Sequence, residues 1–510
     1  MINNKNWIKI KNNNAADLNA IPTIDIKILR EEIISCCTIK NLETYPMRPV
    51  AFFGKDWGNG NTRLFVILAD DKNSNNDPEG SAFYISSAMF DKNTKTYESI
   101  TPLIPAFHMF EREFFEEFNI KPLNHPWLKP MRKNQDEYPF FEMEGEEIHQ
   151  VAVGPIHAGI IEPGHFRFMC NGETVYHLEI ALGYQYKGIE ELMVKSPSNQ
   201  LAESIAGDST IAYNLAYSKL FETLKNIPVS NRAQLIRMLA LEMERTAIHI
   251  GDLGAIAGDI AYLMGASVFG ATRTLVINTM LEFSGSRFGR GLITLGGVNF
   301  DIDNEKIYRA IKTFDKVEKD VKRMVRTMLK NSTVMSRLEK TGTISTERAK
   351  EIGLTGMAAR AAGVSLDTRF DFPDKWIKEL DIENIKIKGT GDVNARFKLR
   401  FREILQSFSI IKKIFEKLKE YPNEPINQGY QVLNKENLKD AFVISAVEGW
   451  RGEVIHIAMT DNTGALTRYK IKDPSFNNWY GLALAVRNNG VSDFPLCNKS
   501  FNLSYSGCDL

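Results

Sequence analysis

Three stretches of this 510-residue sequence repeat apolar residues every three to four positions over many turns, a spacing that suits helices and no sheet. Residues 306–329 set Ile307, Ile311, Phe314, Val317, Val321, Met324 and Met328 on one stripe. Residues 397–418 repeat this with Phe401, Ile404, Phe408, Ile411, Phe415 and Leu418. Residues 231–264 form the longest such segment. Long helices with apolar stripes must bury them against one another, so the core is predicted to be a helix bundle.

Strand-like blocks flank that core. Residues 50–53, 64–68 and 82–85 are short apolar runs separated by turn residues such as Gly58-Asn59-Gly60-Asn61, and residues 103–118 read as a helix. Together they predict a small α/β domain over residues 1–132. Residues 133–148 are polar, acidic and broken by Pro139, the composition of a linker. The second domain, 149–510, opens on strands over 151–175 and closes on a β element over 441–469. The expected fold class is therefore α+β, a small α/β domain followed by a mainly helical bundle with flanking β elements. The Asn-rich opening, residues 1–14, reads as a disordered lead-in. Residues 494–507 show too little periodicity for a helix.

Composition narrows the chemistry. Lys+Arg and Asp+Glu both number 63, so the basic excess of a nucleic-acid binder is missing. No run of eighteen apolar residues occurs, so membrane association is expected only through another subunit. The opening residues also lack the apolar core of a signal peptide. Five cysteines without a CxxC pair make no disulfide framework and suit a reducing cytoplasm. There is no phosphate loop, no GxGxxG opening a βαβ unit, no HExxH and no nucleophile elbow.

One polar pattern stands out. Glu242, Arg245, His249, Asp252 and Asp259 fall near one face of the predicted 231–264 helix. Either they form a functional relay, or Glu242/Arg245 and His249/Asp252 are surface pairs worth roughly a few tenths of a kcal/mol.

Particular motifs add a resemblance. Phe110-Glu111-Arg112-Glu113-Phe114 with His125-Pro126-Trp127-Leu128 is similar to a signature of the 30-kDa-type subunit of complex I. From Val153-Gly154-Pro155-Ile156-His157 onward the match is to the large subunit of group 4 [NiFe] hydrogenases and to the 49-kDa-type subunit of complex I. It continues through Leu182-Gly183-Tyr184, Lys187-Gly188-Ile189-Glu190, Glu244-Arg245 with His249, and Thr355-Gly356 with Arg360. Glu448 with Arg451-Gly452-Glu453, and Asp473-Pro474-Ser475-Phe476 with Asn478, complete it. The chain resembles a fusion of these two complex I subunits, of the formate hydrogenlyase and hydrogenase-4 kind.

That resemblance implies four thiolates in two CxxC pairs, soft ligands for nickel. Here Ala206, Ser209, Ser475 and Asn478 stand at those places. A methyl, two hydroxyls and an amide cannot replace them, since a serine hydroxyl resists ionisation far more than a thiol does. No metal site is expected. In complex I the quinone headgroup is held by a hairpin histidine and a helix tyrosine. The histidine's place falls near Glu162-Pro163, flanked by His157 and His165, and the tyrosine's falls on Gly207, beside Asp208 and Ser209. Ser475 and Asn478 follow the complex I version of the C-terminal motif, and Asp259 has the spacing from His249 of an aspartate near the quinone site.

The catalytic candidates are thus His157, His165, His249, Asp259 and Arg245. Gly207, Asp208, Ser209, Ser475 and Asn478 are the candidate cofactor-binding positions, a quinone being the organic ligand that the resemblance offers. The implied partners are a small iron–sulfur subunit with a [4Fe-4S] cluster, and antiporter-like and quinone-module-like membrane subunits, at the cytoplasmic face of the inner membrane. The implied role is a relay of redox or conformational energy without a [NiFe] centre. A quinone-reducing subunit and a non-catalytic scaffold are the alternatives. Without nickel insertion nothing triggers removal of the C-terminal peptide, so the tail is expected to stay and pack.

Overall fold

The computed structural model describes residues 5–39, 46–71, 81–133, 138–156, 162–385, 389–429 and 435–510. The first domain is built on a mixed sheet of Ile8–Ile10, Thr23–Ile24, Arg48–Gly58, Asn61–Asp70 and Ala82–Phe90. Its three long strands are antiparallel neighbours, and Thr23–Ile24 pairs in parallel with Ala82–Phe90. These strands read as nearly continuous apolar runs because both faces are covered. Phe52, Leu64, Val66 and Phe90 pack with Leu29 and Ile33 of the helix Ile26–Cys37 and with Phe110 and Phe114 of the helix His108–Phe118. The alternate residues Phe53, Phe65, Ile67 and Phe83 pack against Phe442, Ile444, Ile455 and Ile457.

Those last residues belong to a second sheet near the C-terminus, ordered Leu466–Lys472, Glu453–Thr460, Ala441–Glu448, Ala15–Asp17. The Asn-rich opening is therefore ordered in residues 5–14, contrary to the sequence expectation. Its asparagines bond like backbone. Asn12 donates to the Ala446 carbonyl at 2.9 Å and accepts from the Ala446 N–H at 2.8 Å, leading Ala15–Asp17 onto the edge of the sheet. The predicted helix at 103–118 begins at His108, after a single 3-10 turn, Pro105–Phe107.

The second domain opens with a hairpin sheet of Ile148–Val153, His165–Asn171 and Thr174–Ala181. The bundle follows: Thr210–Leu224, Asn231–Asp259, Leu263–Ser284, Asn304–Leu329 and Val393–Leu418. Asp303 and Asp392 cap the last two, accepting from Lys306 N–H at 2.7 Å and Ala395 N–H at 2.8 Å. The segment predicted as one helix to residue 264 breaks after Asp259. Ala261 turns left-handed (φ 57°) and Tyr262 N–H reaches back to the Ala257 carbonyl at 2.8 Å, a C-cap made without the usual glycine. No described helix is long and apolar enough to cross a membrane.

The tail corrects a second expectation. Phe494–Phe501 is helical, with Pro495 in its first turn where a missing N–H costs nothing, and Tyr505–Asp509 adds another turn. Both pack into the main core through Leu496, Cys497, Phe501, Leu503 and Tyr505.

Two glycines separate backbone strain from packing. At Gly356 (φ +60°) a Cβ would lie 2.1 Å from the Arg451 carbonyl oxygen; at Gly172 (φ +53°) it would meet nothing within 4 Å. Gly172→Ala should cost about 1 kcal/mol, the left-handed penalty alone. Gly356→Ala should cost at least about 3 kcal/mol, because the clash adds to the strain. Denaturant midpoints of the two variants measure the difference.

Candidate functional site

The first segment at which the resemblance expects a cysteine pair is the turn before the helix Thr210–Leu224. Ala206 is buried in the core, and its carbonyl accepts the Ser209 N–H at 3.0 Å. Gly207 lies at the surface, where a Cβ would sit 3.8 Å from the Arg290 guanidinium. Asp208 takes a two-pronged salt bridge from Arg451 at 2.7 and 2.6 Å. The same guanidinium donates to Ser209 Oγ at 3.4 Å and to the Asn502 carbonyl at 2.5 Å, and stacks 3.9 Å above Trp450.

That helix has no side-chain cap of its own at Ser209. Glu244, from the helix Asn231–Asp259, reaches across instead and accepts the N–H groups of Ile211 (2.7 Å) and Ala212 (3.3 Å). Burial pushes the Glu244 carboxyl up to about 8, with Asp208 adding to the rise and the two N–H groups opposing it.

The second segment is held as firmly. Asp473 accepts the Ser475 N–H at 2.5 Å and a short hydrogen bond from the Tyr213 hydroxyl. Ser475 Oγ accepts the Ser504 N–H at 2.9 Å. Asn478 exchanges two hydrogen bonds with the Thr355 backbone, at 3.0 and 3.1 Å. The four positions thus carry a methyl and three oxygen-type groups, the last three already bonded within the protein. A nickel–iron centre does not fit this donor set. Among the described residues, no group of three or more His, Cys, Asp or Glu is placed to hold a metal.

Beside this site lies a buried ionic network. Glu242, Arg245, His249 and Asp252 are all under 5 % exposed, so the surface-pair alternative does not hold. His249 Nδ1 faces an Arg400 N–H at 2.9 Å. A guanidinium can only donate, so Nδ1 accepts and the proton sits on Nε2, which donates to Glu403 at 2.8 Å. Arg360 joins Glu403 (2.8 Å) to Glu448 (2.6 Å), and Arg369 joins Asp367 (2.7 Å) to Glu242 (3.4 Å). Arg245 spans Glu242 (3.3 Å) and Glu403 (3.8 Å). Burial alone would raise the Glu403 carboxyl, but Arg360, His249 and Arg245 hold it well below the usual carboxylate range.

This network touches the 206–209 loop. Asp252 pairs with Arg400 (2.5 Å) and accepts from Asn502 Nδ2 (2.6 Å), while the Asn502 carbonyl accepts from Arg451, which holds Asp208. A chain of contacts of 3.0 Å or less therefore runs Asp208–Arg451–Asn502–Asp252–Arg400–His249–Glu403–Arg360–Glu448.

The other sequence candidates stand apart. Asp259 is exposed at the end of its helix, its carboxyl raised by partial burial against the pull of Lys499. His165 starts its strand, with its ring against the edge of Phe140. His157 lies outside the described residues. Sequence reading missed Arg369, Arg400, Glu403 and Asn502. The signal was there for two of them: Arg400 and Glu403 fall among the apolar stripe positions of 397–418, where a charge must be buried and paired.

Residues 259–510 match the family model of the respiratory-chain NADH dehydrogenase 49 Kd subunit, and residues 34–140 that of its 30 Kd subunit. The chain is 27% identical to formate hydrogenlyase subunit 5 of Escherichia coli, over 88% of this chain and 82% of that protein. It is 28% identical to the membrane-bound hydrogenase subunit alpha of Pyrococcus furiosus (71% and 87% covered) and to a subunit of the NADH-quinone oxidoreductase of Thermosipho melanesiensis (67% and 94%). A chain of the membrane-bound sulfane sulfur reductase, an archaeal respiratory membrane complex, shares the fold with a TM-score of 0.66 at 22% identity, covering 73% of this chain and all of that one.

Both buried acids and buried pairs here can be tested through stability. Because Glu244 holds its proton up to about pH 8 when folded but only to the ordinary glutamate range when unfolded, its contribution to stability is full at acid pH and is lost as pH rises toward 8. Glu244→Gln should flatten that part of the stability–pH profile, measured by denaturant unfolding. Arg400→Met should cost about 3–5 kcal/mol by stranding Asp252, and adding Asp252→Asn should recover a large part of the loss in a double-mutant cycle.

Proposed function

From the premise that this chain fuses a 30-kDa-type and a 49-kDa-type domain of the complex I superfamily, we propose that it is the large peripheral subunit of a membrane-associated oxidoreductase that works without a nickel–iron centre. In it, redox energy is handed on as a shift of charge through the buried network. The observation that carries this reading is the unbroken chain from Asp208, in the 206–209 loop, to Glu448.

The chemistry of the links decides what the chain can carry. An arginine keeps its proton under all ordinary conditions, so no proton can hop past Arg451, Arg400 or Arg360. A change of charge can pass. When a carboxylate at one end gains or loses a proton, its guanidinium swings toward or away from the next acid, and the imbalance moves along. Low local dielectric strengthens each such step.

In this role the 206–209 loop faces a small iron–sulfur subunit, whose [4Fe-4S] cluster supplies the electrons. Antiporter-like and quinone-module-like membrane subunits take up the coupled motion, with the assembly at the cytoplasmic face of the membrane. Relatives named as subunits of a membrane-bound hydrogenase and of an NADH-quinone oxidoreductase support that placement. Relay is preferred to quinone reduction within this chain because the side chains of Asp208, Ser209, Ser475 and Asn478 already bond to groups of the protein.

The test is Glu403→Gln in the intact complex. Ion translocation per electron should fall several-fold while electron flow is largely kept, and elemental analysis should find no stoichiometric nickel. Unchanged translocation, or stoichiometric nickel with hydrogen evolution, would refute the reading.

A further inference from the structure

The network's far end opens onto a cavity of about 1030 Å³ that the relay reading leaves without a role. Its inner wall includes Glu448, Glu242 and Arg369, three members of the network. Its rim includes Asn226, Asp374 and Lys378, all exposed, so the cavity leads from solvent to buried carboxylates. Between rim and floor its wall mixes polar and apolar groups, with the Glu222–Arg237 pair (2.5 Å) and Gln234 among the polar ones. Water fills a space of this size and polarity readily.

A count of charges says what that access is for. Five carboxylates (Glu242, Asp252, Asp367, Glu403, Glu448) face four guanidiniums (Arg245, Arg360, Arg369, Arg400), and His249, accepting from Arg400, is neutral. The set is one negative charge over. An uncompensated charge in the interior is costly enough that the group takes a proton instead. Glu448 is lightly held and lies on the cavity wall: its carboxylate has one guanidinium contact, from an Arg360 that also serves Glu403 and Asp367, and one backbone N–H, from Thr368 at 3.1 Å. Glu403, by contrast, takes two bonds from Arg360 and one from His249.

We propose that this cavity is a proton port, through which water delivers to Glu448, and removes from it, the proton that sets the charge of the network. Protonation converts the Glu448 carboxylate to a neutral carboxylic acid, the proton coming from and returning to cavity water, and frees Arg360 to bind Glu403 and Asp367 more tightly. The groups facing Glu448 are Arg360 and Asp367 from the 356–371 segment and Arg245 from the central helix, with Glu453 opposite it on the neighbouring strand. Burial raises its carboxyl above the ordinary value, Asp367 adding to the rise and Arg360 and Arg245 opposing it, in keeping with a proton held there. Asp371, also on the cavity wall, is raised by burial and lies outside the chain of contacts.

This proposal rests on the relay reading, and the test separates the two. In a Cys36→Ser background, Val229→Cys places a thiol on the cavity wall, away from the network. In the purified complex, the infrared carboxylic-acid band assigned to Glu448 by its loss in Glu448→Gln should exchange in D2O. Modifying the introduced thiol with a bulky methanethiosulfonate reagent should slow that exchange several-fold and lower ion translocation per electron, both reversed by reductant. Exchange at an unchanged rate after modification, or no acid band lost in Glu448→Gln, overturns the port. If Glu403→Gln lowers translocation while those results fail, the relay stands and the port falls; if Glu403→Gln has no effect, the relay itself falls.

Discussion

Most of this structure is arranged around a problem of unpaired charge. The helix Asn231–Asp259 carries Glu242, Arg245, His249 and Asp252 into the centre of the bundle, where almost none of their surface is exposed. Each must be answered from another element, and the answers come from segments far apart in sequence: Arg360, Arg369, Arg400 with Glu403, Glu448 and Asn502. Such an arrangement adds little net stability compared with an apolar core of equal volume. What it does supply is a set of groups whose states depend on one another. Between Asp208 and Glu448 each intervening group is shared by its two neighbours, and all but the half-buried Asn502 are buried.

The positions where the hydrogenase resemblance expects cysteines sit against that background. Here Arg451 brings a positive charge to the loop, and Asp208 and Ser209 receive it. Ser475 and Asn478 form joints with Ser504 and Thr355. The C-terminal segment completes the closure. Asn502 ties it to both Arg451 and Asp252, Glu162 accepts the Tyr505 and Ser506 N–H groups, and Asp509 accepts from Gly183 and Gln185.

The layered plan was legible from periodicity, because apolar spacing reports which face of an element is buried. The bundle helices and the three long strands of the first domain lie where the pattern puts them, apart from their ends. The ends were not legible where local chemistry was unusual. The break at Ala261 uses a left-handed alanine, and the ordered opening relies on Asn12 imitating backbone, neither of which has a period. Four members of the ionic network on the central helix could be named from one helical face. Their partners could not, since pairing across hundreds of residues is set by packing; Arg369 and Asn502 give no signal in their own neighbourhoods. Asp259 shares that face in projection but falls one turn past the point where the bundle still covers it.

The pairing of Ala15–Asp17 with Ala441–Glu448 has a consequence for how the protein is made. Asn12 meets its backbone partner 434 residues further along, so the first edge of that sheet must wait for the last part of the chain. At ribosomal speeds of roughly 5–20 residues per second, the wait is on the order of twenty seconds to more than a minute. Throughout it, Phe53, Phe65 and Phe83 lack the sheet that finally covers them. The nascent polypeptide thus exposes this apolar face until translation is nearly finished, a surface open to aggregation in the meantime.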